Sequence, residues 1–297
     1  MKKRIYEPPL RLILTGKCNG NCNFCHLEGN TSSEDMPIDM VYQCIDSADK
    51  LSISRVALTG GEPTLRTDLR DIINYIQGKQ KISVSLTTNG YNLEKLSKDI
   101  SKPIDNLNLS MSSLNEKLAE KYQNVIPKIA LNNLSHFRAL KKTINIVITK
   151  ENYLEIEAFI KVCKEMDFSL DIMFEKCNDE EYRDIQKKIL NELVSSFAGE
   201  IILQSTPVLK FKLSENSVIR IKHPYLSKLL HNSICEECRQ YNQCFEKVCA
   251  VRVHPDGVVT PCLMREICFS GRTMHSKIED AYNKLYTMVL SNDIYCC

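Results

Sequence analysis

Arg11-Leu-Ile-Leu-Thr-Gly-Lys-Cys-Asn-Gly-Asn-Cys-Asn-Phe-Cys-His26 begins as a short apolar strand and runs directly into Cys18, Cys22 and Cys25, spaced C-x3-C-x2-C. Three thiolates on one tight loop can hold three corners of a cubic iron–sulfur cluster and leave a fourth iron without a protein ligand. Zinc is the competing reading, but structural zinc sites are closed and take four ligands. His26 adjoins Cys25, and neighbouring residues rarely both reach one tetrahedral ion. An open cluster on a strand-end loop is the reading carried forward.

Outward from that loop the chain alternates between strand and helix patterns. Strands are expected at residues 10–14, 55–59, 82–87, 107–110, 143–148 and 170–174. Helices are expected at 36–51, 68–77, 93–100, 116–140 with an interruption near Pro127, 153–166 and 179–197. Pro37 suits a first helical turn, and Gly78 a helix end. Alternation repeated in this way predicts an α/β fold: parallel strands with helices outside, joined by right-handed crossovers. The pattern fits an open sheet and a partial barrel equally. After Gly199 short alternating segments (200–204, 208–213, 218–221) replace the long helices, and a cysteine-rich block follows. The expected division is therefore 1–199 and 200–297.

At 297 residues the chain can bury a full core, and its 43% apolar and 26% charged content is that of an ordinary globular protein. A net charge of +2 gives no reason to expect a nucleic-acid or membrane partner. No apolar run approaches the ~18 residues that span a bilayer, and the first residues lack an apolar signal segment. A cytoplasmic protein is expected. Fourteen cysteines are unusual there, because cytosolic thiols stay reduced and clustered ones more often bind metal. Cys44, Cys163 and Cys177 stand alone and read as residues without chemistry.

In parallel α/β folds ligands sit beyond the carboxyl ends of the strands. Gly60-Gly61-Glu62-Pro63, Thr87-Thr88-Asn89-Gly90 and Ser110 fall at such ends, beside the three-cysteine loop. Glycines let backbone approach a ligand closely, and Glu62 can accept from an ammonium group. Thr88 and Ser110 suit strand-end hydrogen bonding equally well. Further on, Cys235-x2-Cys238-x5-Cys244-x4-Cys249 precedes a segment whose Pro-Asp-Gly reads as a hairpin turn and leads to Cys262. That is the geometry of a second metal site, zinc or iron–sulfur. Cys235, Cys238, Cys249 and Cys262 are the first candidates, Cys244 comes next, and Cys268 reads as a spectator.

The cysteine run, with Phe24 before its last member and Gly-Gly-Glu-Pro one strand later, resembles the radical S-adenosylmethionine superfamily. That resemblance implies a partial, TIM-like (β/α)6 barrel and a [4Fe–4S] cluster whose open iron takes the amino and carboxylate groups of S-adenosylmethionine. One electron, from an external flavodoxin- or ferredoxin-like reductant, would then cleave the sulfonium to a 5′-deoxyadenosyl radical. By the same resemblance Gly60, Gly61, Glu62 and Pro63 lie at the cofactor's amino group, and Phe24 near its adenine. Thr88, Asn89 and Ser110 would lie near its ribose or methionine. The Asp-Gly-x4-Cys hairpin ending at Cys262 resembles the auxiliary-cluster (Twitch or SPASM) extension, which implies a second [4Fe–4S] cluster.

Leu58-Thr-Gly-Gly-Glu-Pro-Thr-Leu-Arg66, Leu86-Thr-Thr-Asn-Gly90, Leu107-Asn-Leu-Ser-Met-Ser-Ser-Leu114 and the stretch from Val253 to Leu263 resemble the GTP 3′,8-cyclase family of molybdenum-cofactor biosynthesis. That implies triphosphate contacts from Arg11, Arg66 and Arg252, whose guanidinium forks suit phosphate oxygens. Each arginine also fits an ordinary ion pair. The chain departs from the family at Ala250 and Thr143, where an arginine and a lysine are expected, and at Ser112, where an aspartate is. It also ends in Tyr295-Cys296-Cys297 where the family ends in Gly-Gly. The expectation is a radical enzyme acting on a small, nucleotide-like substrate. A maturase of ribosomal peptides is the alternative, disfavoured by the 17 residues ahead of Cys18. A non-catalytic zinc or iron–sulfur sensor or electron carrier would need neither the Gly60–Pro63 loop nor the full strand–helix series.

Overall fold

The computed structural model describes residues 8–22, 25, 34–97, 100–175, 179–197, 199–202, 208–222, 250–262 and 268–291. The first half alternates β1 (Leu10–Ile13), α1 (Ile38–Lys50), β2 (Arg55–Thr59), α2 (Leu69–Gln77), β3 (Ser83–Thr88), α3 (Leu93–Ser97) and β4 (Ile104–Ser110). Two helices, α4 (Glu116–Gln123) and α5 (Pro127–His136), lead to β5 (Ala139–Ile148), α6 (Ile156–Met166), β6 (Ser169–Phe174) and α7 (Glu180–Ser196). Then come β7 (Gly199–Ile202), β8 (Val208–Lys212), β9 (Val218–Lys222), β10 (Val251–Val253), β11 (Val259–Thr260) and α8 (Met274–Ser291).

Strands β1 to β6 lie side by side in chain order, every neighbouring pair parallel. Each crossover carries helix, which gives the mostly parallel α/β sheet of a partial (β/α)6 barrel. The two faces differ by residue parity. Val84 and Leu86 of β3, and Leu170 and Ile172 of β6, are fully buried under helices. Ser83, Ser85 and Thr87 alternate with the first pair and Asp171 and Met173 with the second, all half-buried on the concave face. Helix α2 answers with Leu69, Ile72, Ile73 and Ile76, one stripe at helical spacing. Burying each such side chain is worth about 1.5–3 kcal/mol.

The helix expected over 116–140 is interrupted just before Pro127, as expected, but stops at His136. Asn124 (φ 55) closes α4 in the left-handed region, and β5 starts four residues earlier than expected. Leu140 and Lys141 are exposed, so the entry of β5 lacks the apolar alternation of a strand and is held by pairing to β4 (Ile104↔Ala139, Asn106↔Lys141).

Beyond Gly199 the connectivity changes but the sheet continues. Strands β7, β8 and β9 form an antiparallel meander, and β9 pairs parallel with β6. At the other edge β10 pairs parallel with β1, and β11 folds back antiparallel on β10. Phe211, Ile219, Ile221, Val251 and Val253 share one apolar core with β1–β6, so the division at 199/200 falls within one sheet and one core. Helix α8 packs against α1, and Tyr282 Oη donates to the Pro8 carbonyl at 2.8 Å.

Candidate functional site

The loops leaving the carboxyl ends of β1, β2, β3 and β4 meet at one end of the sheet. Two backbone bonds, Gly61 N–H to the Thr15 carbonyl (2.7 Å) and Glu62 N–H to the Lys17 carbonyl (2.8 Å), lay the second loop along the first. The glycines are required by that contact. A Cβ on Gly60 (φ +148°) would stand 2.5 Å from the Thr15 carbonyl oxygen, and one on Gly61 would stand 2.2 Å from that of Lys17. Gly60 and Gly61 therefore serve the approach of one loop to the other.

Glu62 is buried at this junction and is 2% exposed. Its Oε1 accepts from the Thr64 N–H (3.0 Å), the Thr64 hydroxyl (2.6 Å) and the Thr88 hydroxyl (2.6 Å), while Oε2 accepts from the Asn89 N–H (2.7 Å). Burial raises its pKa, and these donors work against that rise. Pro63 opens a short 3-10 turn behind the glutamate. The Asn89 amide goes on to donate to Asn19 Oδ1 at 2.8 Å, within the cysteine loop. Thr88, Asn89 and Glu62 thus form one network, in which every donor to Glu62 named above belongs to the protein. Ser110, at the end of β4, lies half-buried on the same concave face in register with Asn145.

Cys18 and Cys25 are exposed and Cys22 is half-buried. Burial pushes the Cys22 thiol up to about 12, and the neighbouring Cys25 and Cys18 add to the rise. Burial also raises Cys18, helped by the charges of Glu62 and Cys25. Such mutually repelling sulfurs need a shared cation to ionise together. Among the described residues no three Cys, His, Asp or Glu side chains converge on a single ion. In a cubane each thiolate binds a different iron, so this donor set fits a cluster better than a lone zinc. Phe24, Cys235, Cys238, Cys244 and Cys249 lie outside the described residues. Cys262 follows the expected hairpin, whose turn has Gly257 at φ +79° and Asp256 Oδ1 accepting the Val258 N–H at 3.0 Å. Cys262 is buried and Cys268 exposed.

The three arginines part company. Arg66 is held inside the protein: Nε and Nη2 donate to the two Asp68 oxygens (2.8 and 2.6 Å), and Nη1 donates to the Leu14 and Met36 carbonyls (2.7 Å each). It braces β1, the start of α1 and the second loop rather than presenting an open phosphate fork. Arg11 and Arg252 are register partners on β1 and β10. Leu10 and Leu12, the chain neighbours of Arg11, point into the apolar core, which puts the half-buried Arg11 on the concave face. Arg252 is fully buried, and its Nη1 donates to the Pro261 (3.4 Å) and Ala250 (3.5 Å) carbonyls, so this guanidinium is held within the protein.

Five residues the sequence did not mark complete the site. Thr15 donates to Asp35 (2.6 Å), which also takes Lys17 (3.1 Å). Asn19 meets Asn89, and Gln123 bonds the backbone at the end of β4. None has a sequence signal, because isolated amides and hydroxyls acquire meaning only when strands bring them together.

Residues 12–163 match the radical SAM superfamily, and the chain belongs to that superfamily. It is a radical S-adenosylmethionine enzyme, and membership implies a [4Fe–4S] cluster and S-adenosylmethionine. Among its relatives, a probable GTP 3′,8-cyclase of Methanococcus maripaludis is 26% identical over 272 residues, covering 86% of this chain and 85% of the relative. A probable GTP 3′,8-cyclase of Methanothermobacter thermautotrophicus is 28% identical over 279 residues, covering 86% and 84%. Two solved structures share the fold. SuiB of Streptococcus suis bound to S-adenosylmethionine has a TM-score of 0.65 at 18% identity, covering 95% of this chain and 66% of SuiB. The enzyme anSMEcpe with bound AdoMet and the Kp18Cys peptide has a TM-score of 0.62 at 18% identity, covering 97% of this chain and 84% of anSMEcpe. No helix among the described residues is long and apolar enough to cross a membrane.

Proposed function

We propose that this enzyme abstracts hydrogen from a small phosphorylated substrate, with a nucleoside triphosphate such as GTP the leading candidate. The observation that carries the substrate reading is Arg11, half-buried on the concave face of β1, with the buried Arg252 as its register partner on β10. A guanidinium fork suits a phosphate group, and Arg11 lies on the strand that leads into the cysteine loop. The similarity to probable GTP 3′,8-cyclases supports the same reading.

In it Cys18, Cys22 and Cys25 hold the first cluster. Gly60 to Pro63, with Thr88, Asn89 and Ser110, line the cofactor's side of the site. When bound, cluster and cofactor supply the one-electron chemistry that generates the hydrogen-abstracting radical. The chain's own contribution is to seat the loops against one another, orient the substrate by its phosphates and keep water out. Cys262, with Cys235, Cys238 and Cys249 or Cys244, supplies a second cluster, and an external one-electron carrier supplies the reducing equivalent.

Two buried positions favour a second reading. Ala250 and Thr143, 1% and 5% exposed, leave no cation where GTP cyclases carry one. A peptide substrate needs fewer cations, and the structural neighbour anSMEcpe holds a peptide. Anaerobically reconstituted enzyme with S-adenosylmethionine and a strong reductant decides between them. GTP should bind and stimulate release of 5′-deoxyadenosine, and Arg11→Met should weaken GTP binding by about 10- to 150-fold, the loss of one charge-assisted contact. Stimulation by a peptide and none by GTP would replace the nucleotide with the peptide.

A further inference from the structure

Asn89 follows β3, where the resemblance to the superfamily implies a cofactor contact, yet its side chain is engaged by the protein. It is 7% exposed. Its N–H donates to Glu62 Oε2 at 2.7 Å, and its Oδ1 accepts the Tyr91 N–H at 3.1 Å, an Asx turn that fixes the side chain where the chain leaves the strand. Gly90 (φ +81°) permits that turn, because a Cβ there would stand 2.5 Å from Leu109 Cδ1. Held in this way, Asn89 Nδ2 donates to Asn19 Oδ1 at 2.8 Å.

Asn19 follows Cys18 in the cysteine loop and is held from two elements. Its side chain takes the Asn89 amide from the end of β3, and its carbonyl accepts from Asn124 Nδ2 at 3.5 Å, at the end of α4. The next residue rests on the same support. A Cβ on Gly20 would stand 3.0 Å from the Gln123 carbonyl oxygen and 3.5 and 3.8 Å from the sulfurs of Cys18 and Cys22. The Gly20 N–H in turn donates to the Cys18 sulfur at 3.3 Å. The segment between Cys18 and Cys22 is thus fastened to the sheet at Asn19, by an amide whose direction β3 sets.

We propose that Asn89 is a positioning residue for the cluster-binding loop: through Asn19 it holds the segment between Cys18 and Cys22 in the shape that retains the cluster. The residue lines the site, but its amide is spent on the loop and not on the cofactor. Residues that orient metal ligands from outside govern how tightly the metal is kept, because a loop free to open lets its thiolates go one at a time. A change at the end of β3 therefore reaches the cluster without touching any of its ligands. The inference rests on the assignment of Cys18, Cys22 and Cys25 as cluster ligands.

The experiment uses the full chain, reconstituted anaerobically, as wild type, Asn19→Ala, Asn89→Ala and the double variant. One readout is the rate at which an added chelator removes the cluster whose electron paramagnetic resonance signal responds to S-adenosylmethionine. The other is the affinity of the remaining cluster for S-adenosylmethionine. Each single variant should lose the cluster about fivefold faster than wild type, the effect of one neutral hydrogen bond. The double variant should lose it no faster than Asn89→Ala, since both changes remove the same contact. Affinity for S-adenosylmethionine should stay within about twofold, the scatter of uncoupled sites. Asn19→Ala leaves Asn89, Glu62 and β3 intact, so it decides if Asn89→Ala does not fold. Asn19→Ala with the wild-type rate, the result if Asn89 serves stability alone, would overturn the proposal. So would a double variant whose two effects multiply. An Asn89→Ala enzyme that keeps its cluster as wild type does but binds S-adenosylmethionine more weakly would make the amide a cofactor contact and overturn it as well. Wild-type enzyme with no responsive signal overturns the ligand assignment and this inference with it, whereas the other adverse results leave that assignment standing.

Discussion

Replacing Gly61 by alanine tests the close approach of the two strand-end loops. The new methyl would lie 2.2 Å from the Lys17 carbonyl oxygen and 2.6 Å from its carbon. Ordinary contact begins at 3.4 Å, so the Lys17 carbonyl would have to retreat by about 1.2 Å (3.4 − 2.2). It cannot do so and keep the 2.8 Å bond from the Glu62 N–H, and the neighbouring 2.7 Å bond from the Gly61 N–H to Thr15 is strained with it. Overpacking costs about 1–3 kcal/mol and a lost hydrogen bond about 1 kcal/mol. The sum is about 2–4 kcal/mol, or roughly 5–10 °C in Tm for a chain of this size. Thermal and urea unfolding of the apoprotein would read the loss. Iron content after reconstitution would read the displaced cysteine loop. Gly78→Ala is the control, because Gly78 caps α2 in ordinary helical geometry (φ −69°) with its nearest neighbour 3.2 Å away. It should change stability by less than about 1 kcal/mol. If Gly61→Ala matched wild type within about 0.5 kcal/mol and loaded iron fully, the claim that the loops need glycine there would be wrong.

Two further outcomes follow from buried and half-buried charges. Arg66→Met strips donors from the Leu14 and Met36 carbonyls and leaves Asp68 without its fork, so the apoprotein should lose about 2–4 kcal/mol by urea unfolding. Undiminished stability with weakened nucleotide binding would mean instead that the fork faces the ligand. Asp46 joins α1 to the region of α2 by accepting from the Tyr75 hydroxyl (2.8 Å) and Lys79 (2.6 Å). Burial opposes its charge, but Lys79 and Tyr75 more than offset this and hold its pKa below the ordinary 3.8. A lowered folded pKa contributes stability above the unfolded value and loses it as pH falls through the folded one. The wild type should therefore exceed Asp46→Asn by less than about 1 kcal/mol at pH 5–8, since the pair is partly exposed, and the gap should close below about pH 4. A gap that widened in acid would contradict this account.

The parts of the fold legible in the sequence were those whose burial is local. Strand β2 was read to the residue, because Val56 and Leu58 alternate between a charged entry and a glycine exit. Helix α2 was read from its Leu69–Ile76 stripe between Asp68 and Gly78. The entry of β5 was missed because Leu140 and Lys141 face solvent and only β4 holds them. Helix α8 was missed altogether, since its partners α1 and Pro8 lie at the far end of the chain. The site divides in the same way. Motif residues such as Gly60, Gly61 and Glu62 were visible, because they are needed as residue types at fixed spacing. Their uses for one another were not. That Arg66 bonds two carbonyls, that Thr88 and Asn89 donate to Glu62, and that Gln123 bonds the backbone at the end of β4 are facts of topology, created when parallel strands align their ends.

The insertion of β10 beside β1 has a consequence for the order of events during synthesis. The strand leading to Cys18 gains its outer neighbour from residues 251–253, so one border of that strand stays bare while most of the polypeptide is still emerging from the ribosome. Parallel pairing over such a separation closes late and slowly. Arg252 can pair in register with Arg11 only after residues 251–253 have been made. A product that stops short of β10 keeps the residues of the β2–β6 register, but it lacks the outer neighbour of β1.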